Sequence, residues 1–321
     1  MESLTKNRQS IDNIKRMLQA AFGEKIYHDI SVNELTEGYF NVAYEVKLDQ
    51  QELIIKIAPP KASKIMSYEE NIMRAEVDAV RMMKEETKVP VPEVYYYDDT
   101  HEICDADYFI MEKLSGASFY KLRSSGMLQE EQDRILHEVG RCNKAMNEVT
   151  GNGFGYLGQA IRPDTSWRET FLSMIEGVLT DGERIEIGLG VGYDEVRDII
   201  HRADFALDTV TRPVFVHWDL WDGNVFIEDG RITGIIDFER ALWGDPLMEY
   251  YFRAHSYNMN FIQGYGRDLR KEEPIRALLY DIYLYLIMVV ETKYRSYPND
   301  WQYNFASKEL KKAMDTLSQM I

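Results

Sequence analysis

Two neighbouring stretches decide the reading: Val216-His217-Trp218-Asp219-Leu220-Trp221-Asp222-Gly223-Asn224 and Ile235-Ile236-Asp237-Phe238-Glu239. In the first, an aspartate is followed five residues later by an asparagine, with a histidine two residues before the aspartate. Apolar residues flank both stretches, so their polar groups are expected at strand ends, facing a cleft. Polar groups set into apolar runs need a partner. Phosphoryl transfer supplies one. A hydroxyl ionises too weakly near neutral pH to attack unaided, and a carboxylate such as Asp219 orients it and accepts its proton late. Asn224 and Asp237 are hard oxygen ligands of the kind that hold Mg²⁺ against nucleotide phosphates. The plainer alternative is that Asp219 and Asn224 cap a turn and Asp237 a strand end.

The two-part motif resembles the aminoglycoside phosphotransferase and choline kinase-like branch of the protein-kinase-like fold. Members carry H-G-D-x-x-x-x-N followed by a hydrophobic strand ending in I-D-F/W-E. Gly244-Asp245-Pro246 adds the G-D-P often found just after. The likeness spans about residues 30 to 255, with one departure: Trp218 stands in place of the usual glycine. It implies an α+β, two-lobed fold, with a small antiparallel-sheet N-terminal lobe (1–112) for nucleotide and a larger, mainly helical C-terminal lobe (113–321) for catalysis and acceptor. The implied activity is ATP-dependent transfer of the γ-phosphate to a hydroxyl of a small molecule, with ATP and Mg²⁺ as cofactors.

The same resemblance assigns roles. Asp219 is the base, and Asn224 and Asp237 are the magnesium ligands. Lys56, a single lysine inside the apolar run Leu53–Ala58, contacts the α/β-phosphates unless it snorkels outward. Glu76, in Arg74-Ala75-Glu76-Val77, is its ion-pair partner, with Glu69 and Glu70 as rivals. The turn around Gly38 and Asn41 covers the nucleotide through backbone N–H groups. Its poverty in glycine fits this branch better than a protein kinase. The hinge Phe109–Gly116 reads adenine, with Glu112 and Leu114 marking its location. His217 supports the loop rather than acting as a base.

The rest of the chain fits this frame. Ile11 to Phe22 has helical spacing, with Gly23 as a stop. Strand-like runs follow at Ile30–Leu35, Asn41–Leu48 and Glu52–Ala58, and Pro59-Pro60 ends the third. Ser67–Lys88 reads as one helix, broken by Val-Pro-Val-Pro. Glu93–Tyr97 and Tyr108–Leu114 read as strands. Beyond Leu114 helical patterns dominate, at about 118–124, 130–149, 166–178, 194–211, 274–294 and 307–321, around a strand-rich island at 214–237. Gly153-Phe-Gly155-Tyr-Leu-Gly158 matches G-x-G-x-x-G, but it follows a helix instead of a strand and reads as a flexible connector.

The 321 residues carry 37 Lys+Arg against 54 Asp+Glu, a net charge of −17. Such a chain repels nucleic-acid backbones and gains nothing at a polybasic membrane contact. The acidic balance suits a cationic acceptor as well as mere solubility. Two cysteines without framework spacing, and a start without an apolar core, fit a reducing cytoplasmic setting. Aminoglycosides, aminoalcohols, amino acids, sugars and macrolides all stay open as acceptors, so an antibiotic-modifying and a metabolic enzyme stand level. A non-catalytic nucleotide-binding protein is the remaining alternative. Asp181, Glu183, Glu186, Asp204, Asp208, Glu239 and Glu249 are acceptor-site candidates by position only.

Overall fold

The computed structural model describes residues 6–23, 30–36, 40–48 and 51–321. The N-terminal part begins with helix α1 (Ile11–Phe22), followed by strands β1 (Ile30–Leu35), β2 (Val42–Leu48) and β3 (Gln51–Ile57). Helix α2 (Ile72–Glu86) and strands β4 (Val94–Asp98) and β5 (Tyr108–Glu112) complete it. The strands form one antiparallel five-stranded sheet in the order β1-β2-β3-β5-β4.

Side chains alternate across such a sheet, so each strand feeds two layers. Val42, Tyr44, Val46, Leu53, Ile55, Ile57, Tyr108 and Ile110 bury against Ile14, Met17 and Leu18 of α1. The opposite face, with Ile54, Phe109 and Met111, packs on Met73 and Val77 of α2. Lys56 falls on this second face, two residues from Ile54 and in register with Phe109. Strand alternation therefore turns the lysine toward α2 and away from solvent.

The helix expected over Ser67–Lys88 is broken. Ser67–Glu69 forms a short 3-10 turn, Asn71 takes a left-handed conformation at φ 55°, and α2 starts only at Ile72. Asparagine tolerates that region because its short amide bonds locally; here its Nδ2 donates to the Gly158 carbonyl at 3.1 Å.

The C-terminal part opens with β6 (Ala117–Ser118), α3 (Phe119–Ser124) and α4 (Gln129–Met146), then β7 (Gly155–Tyr156), α5 (Trp167–Arg184) and α6 (Tyr193–Ala203). Strands β8 (Val214–Val216), β9 (Val225–Glu228), β10 (Arg231–Ile235) and β11 (Leu242–Gly244) come next, and α7 (Met259–Tyr265), α8 (Leu269–Glu272), α9 (Pro274–Tyr294) and α10 (Trp301–Ser318) finish the chain. The strands make two small sheets, β10-β9-β6 and β7-β11-β8. α9 is buried almost all round, which explains its weak amphipathic pattern.

Two sequence expectations change here. The helix placed at 194–211 ends at Ala203 and continues as a 3-10 turn over Asp204–Thr209. The Gly153–Gly158 run is a packed connection and not a flexible one. Its Gly155–Tyr156 pairs with β11, and a β-carbon on Gly158 would stand 2.5 Å from the Glu70 carbonyl oxygen. Among the described residues, no helix is long and apolar enough to cross a membrane.

Candidate active site

The site lies where α2 and β3 of the first sheet meet the loops after β8 and β10. Lys56 Nζ stands 2.6 Å from Glu76 Oε2, 2.5 Å from Asp237 Oδ1 and 3.7 Å from Glu239 Oε2. Glu76 reaches it because Met73, Glu76 and Val77 share the α2 face that packs on the sheet. The rival Glu69 is engaged elsewhere: it accepts from the Met66 N–H and pairs with Arg295 at 2.7 Å. Burial works against charge on Lys56, but Asp237, Glu76 and Glu239 outweigh it and hold the ammonium well above its ordinary pKa. Burial also pushes Asp237 up, and Lys56 more than reverses this, so the carboxylate lies below its usual range. Glu76 goes the other way, raised chiefly by burial.

Asp237 sits at φ 68° and heads the tight turn Phe238–Arg240. A left-handed residue at that point reverses the chain as it leaves β10. The reversal brings Glu239 to the start of β2, where Asn41 Nδ2 donates to Glu239 Oε2 at 2.7 Å. Glu239 thus belongs to the lysine cluster. The acceptor position given to it above is corrected on this geometry. Asn41 is brought into the site by its side chain, while Gly38 lies outside the described residues.

The loop from His217 to Asn224 joins β8 to β9. Its backbone is fixed from three sides. The His217 N–H donates to the buried Glu249 carboxylate at 2.8 Å, the Asp219 N–H donates to His217 Nδ1 at 3.2 Å, and His217 Nε2 faces the Ile236 carbonyl at 3.1 Å. Accepting at Nδ1 and donating at Nε2 requires a neutral imidazole. Burial, the largest effect, pushes its pKa down to about 4. His217 is built as a support, and Glu249, another acceptor candidate, turns out to be a backbone anchor. Asn224 Nδ2 donates to Asp219 at both its carbonyl (2.9 Å) and Oδ2 (3.2 Å), and the Ile236 N–H closes onto the Asn224 carbonyl at 3.0 Å. With its amide nitrogen engaged, Asn224 has its amide oxygen left to act as a ligand.

Asp219 is raised to about 7, first by burial, with Asp237, Glu239 and Glu291 adding repulsion against the pull of Arg240. Arg240 is a site residue the sequence reading missed. It lies 5.6 Å from the Tyr68 ring centroid and pairs with Glu291 at 3.0 Å. Asp181 and Asp204, two further acceptor candidates, are consumed by structure: Asp181 accepts from the Ser67 N–H and hydroxyl, and Asp204 pairs with Arg168. Glu183 and Asp208 likewise face Arg197 and Arg168. In the segment expected as the hinge, Leu114 covers Gly234 of β10, whose absent β-carbon would stand 2.4 Å from the leucine. The Glu112 carboxylate folds back to the Glu93 N–H at 3.1 Å.

Carboxylate oxygens of Glu76, Asp237 and Glu239 lie within 4.8 Å of one another. All three donors are carboxylate oxygens, the kind that suits Mg²⁺ and not a thiophilic or imidazole-seeking metal.

The raised Asp219 carboxyl has a consequence for stability. A carboxyl whose folded pKa exceeds its unfolded value destabilises the fold once ionised, so stability falls as pH rises from about 4 to 7. In the nucleotide-free, metal-free protein, Asp219→Asn is therefore expected to raise the melting temperature at pH 8, the ionisation cost implied by a pKa of about 7 being up to about 4 kcal/mol. The gain should vanish near pH 4. Differential scanning calorimetry at both pH values checks this, and an equal gain at both would contradict the assigned cause.

Residues 31–278 match the model of the family described as the phosphotransferase enzyme family. No curated protein sequence matches the chain. Among solved structures, an aminoglycoside phosphotransferase, APH(4)-Ia, in ternary complex with AMP-PNP and hygromycin B is similar with a TM-score of 0.65 at 18% identity, covering 95% of this chain and 98% of that one. A protein assigned as a fructosamine-3-kinase from Haemophilus somnus reaches 0.66 at 19% identity, over 94% and 96% of the two chains. The streptomycin–ATP complex of APH(2")-IIa reaches 0.61 at 16% identity, over 97% of each chain. The chain belongs to the phosphotransferase enzyme family, and it is a small-molecule kinase with the two-lobed, protein-kinase-like fold.

Proposed function

We propose that the enzyme moves the γ-phosphate of ATP to a hydroxyl of a small, cationic acceptor, with Asp219 as the base. The observation that carries the reading is the convergence of two groups. Lys56 with Glu76 comes from the sheet side, and Asp237, Glu239, Asp219 and Asn224 come from the helical side, with the lysine paired to Asp237 and Glu239 across the two. Lys56, oriented by Glu76, would hold the α/β-phosphates. Asn224 and Asp237 would hold magnesium, which when bound neutralises charge on the phosphate oxygens. Asp219 would orient the acceptor hydroxyl and take its proton as the new oxygen–phosphorus bond forms and the bond to the ADP oxygen breaks. A pKa near 7 suits a base working near neutral pH.

We divide the lobes after Glu112, a reading supported by the end of β5 there and the passage of the chain to β6. The net charge of −17 supports a cationic acceptor. So do the solved neighbours that hold hygromycin B and streptomycin, although the fructosamine-3-kinase neighbour keeps sugar-amine acceptors in view.

The test is acceptor-dependent ADP release from Mg·ATP over aminoglycosides, choline-like aminoalcohols, amino acids, simple sugars, a fructosamine and a macrolide. Stimulation by the amine-bearing members, and none by neutral sugars, is expected. Stimulation by neutral or anionic compounds alone would overturn the cationic assignment.

A further inference from the structure

Trp218 occupies a position where the resemblance leads one to expect glycine, and it adopts the backbone that makes glycine the natural choice, φ 72°. Left-handed backbone is unfavourable for a residue with a β-carbon, so something must hold this one in place. The indole is only 3% exposed and packs beside the Tyr283 ring with centroids 5.5 Å apart. The guanidinium of Arg253 lies 4.2 Å from the indole centroid. Arg253 is itself 2% exposed, and neither of its terminal nitrogens has a hydrogen-bond partner among the described residues. The indole Nε1 has none either. A buried guanidinium without hydrogen-bond acceptors is expensive, and the face of an indole is the contact this one makes instead. Glu249 and Asp281 bear on its charge from farther off, and Arg270 opposes them. A desolvated cation–π contact is of the same order as the penalty for left-handed backbone at a non-glycine residue.

We propose that Trp218 and Arg253 form a positioning pair that fixes the backbone immediately before Asp219, so that the carboxylate is held aimed at the acceptor hydroxyl. The proposal rests on the phosphotransferase reading. The backbone of Asp219 is bonded to His217 Nδ1 through its N–H and to the Trp221 N–H through its carbonyl, so any relaxation at Trp218 passes directly to the base. The pair works through the shape of the loop and contributes no atom to the reaction. In the resembling family a glycine relieves the backbone at this point. Here strain is retained and offset by a stacked cation, which gives a more rigid loop.

The test is a double-mutant cycle with Arg253→Met and Trp218→Leu in the full-length chain. The leucine keeps the β-carbon while removing the aromatic face. Hydrogen exchange of the amides in 217–224 is read by mass spectrometry, and ADP release from Mg·ATP is read with the best acceptor of the panel. Each single variant is expected to speed loop exchange and lower kcat by about thirtyfold, the loss that one desolvated cation–π contact carries. KM for ATP should be unchanged, as should exchange in β9 and β10. The double variant should be no worse than either single, and Arg253→Lys should restore most of the rate. Multiplying effects, exchange raised evenly across the C-terminal lobe, or a lysine variant as slow as methionine would each overturn the pair. Should Arg253→Met fail to fold, Trp218→Phe carries the test. It keeps an aromatic face and is expected near wild-type exchange, and a tenfold faster loop would count against the proposal. Asp219→Asn separates the two levels. A variant at Asp219 that keeps full turnover overturns the base assignment, whereas a silent cycle beside an inactive Asp219→Asn overturns only the positioning pair.

Discussion

Asp219→Asn is expected to bind Mg·ATP as the wild type does while kcat falls by about 10²–10⁴-fold, the range a positioned general base supplies. The two halves of this result have separate causes. Nucleotide affinity is assigned to Lys56, Glu76, Asp237 and Asn224, and none of the ion pairs among them involves Asp219. The substitution keeps the size and shape of the side chain. It also keeps an oxygen that can accept from Asn224 Nδ2, which now bonds Asp219 Oδ2 at 3.2 Å. What it removes is the capacity to take a proton. Isothermal titration with a non-hydrolysable ATP analogue, beside steady-state ADP release, separates affinity from rate. Undiminished turnover would remove Asp219 from the mechanism. A matching loss of nucleotide binding would mean that the side chain serves the phosphates instead.

Asp237→Ala is expected to weaken nucleotide binding in the presence of Mg²⁺ by about tenfold or more and to abolish the difference between binding with and without the metal. Asp237 is one of the two oxygen ligands assigned to magnesium. It is also the nearest counter-ion of Lys56, at 2.5 Å. Glu76 remains at 2.6 Å after the substitution, so the buried lysine keeps a partner and the fold is retained. A melting curve verifies that retention. Equal affinity with and without Mg²⁺ in both proteins would end the metal assignment. Persistence of the magnesium effect in the alanine variant would move the ligand role to Glu239 or Glu76, whose oxygens share the cluster.

Much of this site can be read directly from the chain because its key residues sit in short, patterned segments. Lys56 is a lone charge in an alternating strand, and alternation alone puts it on the face away from Ile55 and Ile57. Asp219, Asn224 and Asp237 lie next to the ends of the apolar strands β8, β9 and β10, as the flanking apolar residues lead one to expect. Helix α9 matches its expected limits, Pro274 to Tyr294, because proline opens it and the apolar run is long.

What escaped the sequence depends on contacts between distant residues or on a single backbone angle. Glu239 meets Asn41 across 198 positions, and nothing local to either residue marks the pairing. Arg240 looks like one more surface arginine until its burial beside Tyr68 and Glu291 is seen. The break at Asn71 needed its left-handed φ, since the flanking residues keep a helical pattern. The acidic residues at 181, 204 and 249 looked available because their partners, Ser67, Arg168 and the His217 backbone, lie far away in the chain.

The most direct test of the central claim is product analysis of a reaction holding the protein, Mg·ATP and the acceptor panel. Phosphorus NMR with mass spectrometry would identify what the γ-phosphate becomes. The account predicts a phosphate monoester of one amine-bearing alcohol, formed in step with ADP by the wild type and not by Asp219→Asn. Formation of that ester at the wild-type rate by Asp219→Asn, or ADP accompanied only by inorganic phosphate across the whole panel, would contradict it.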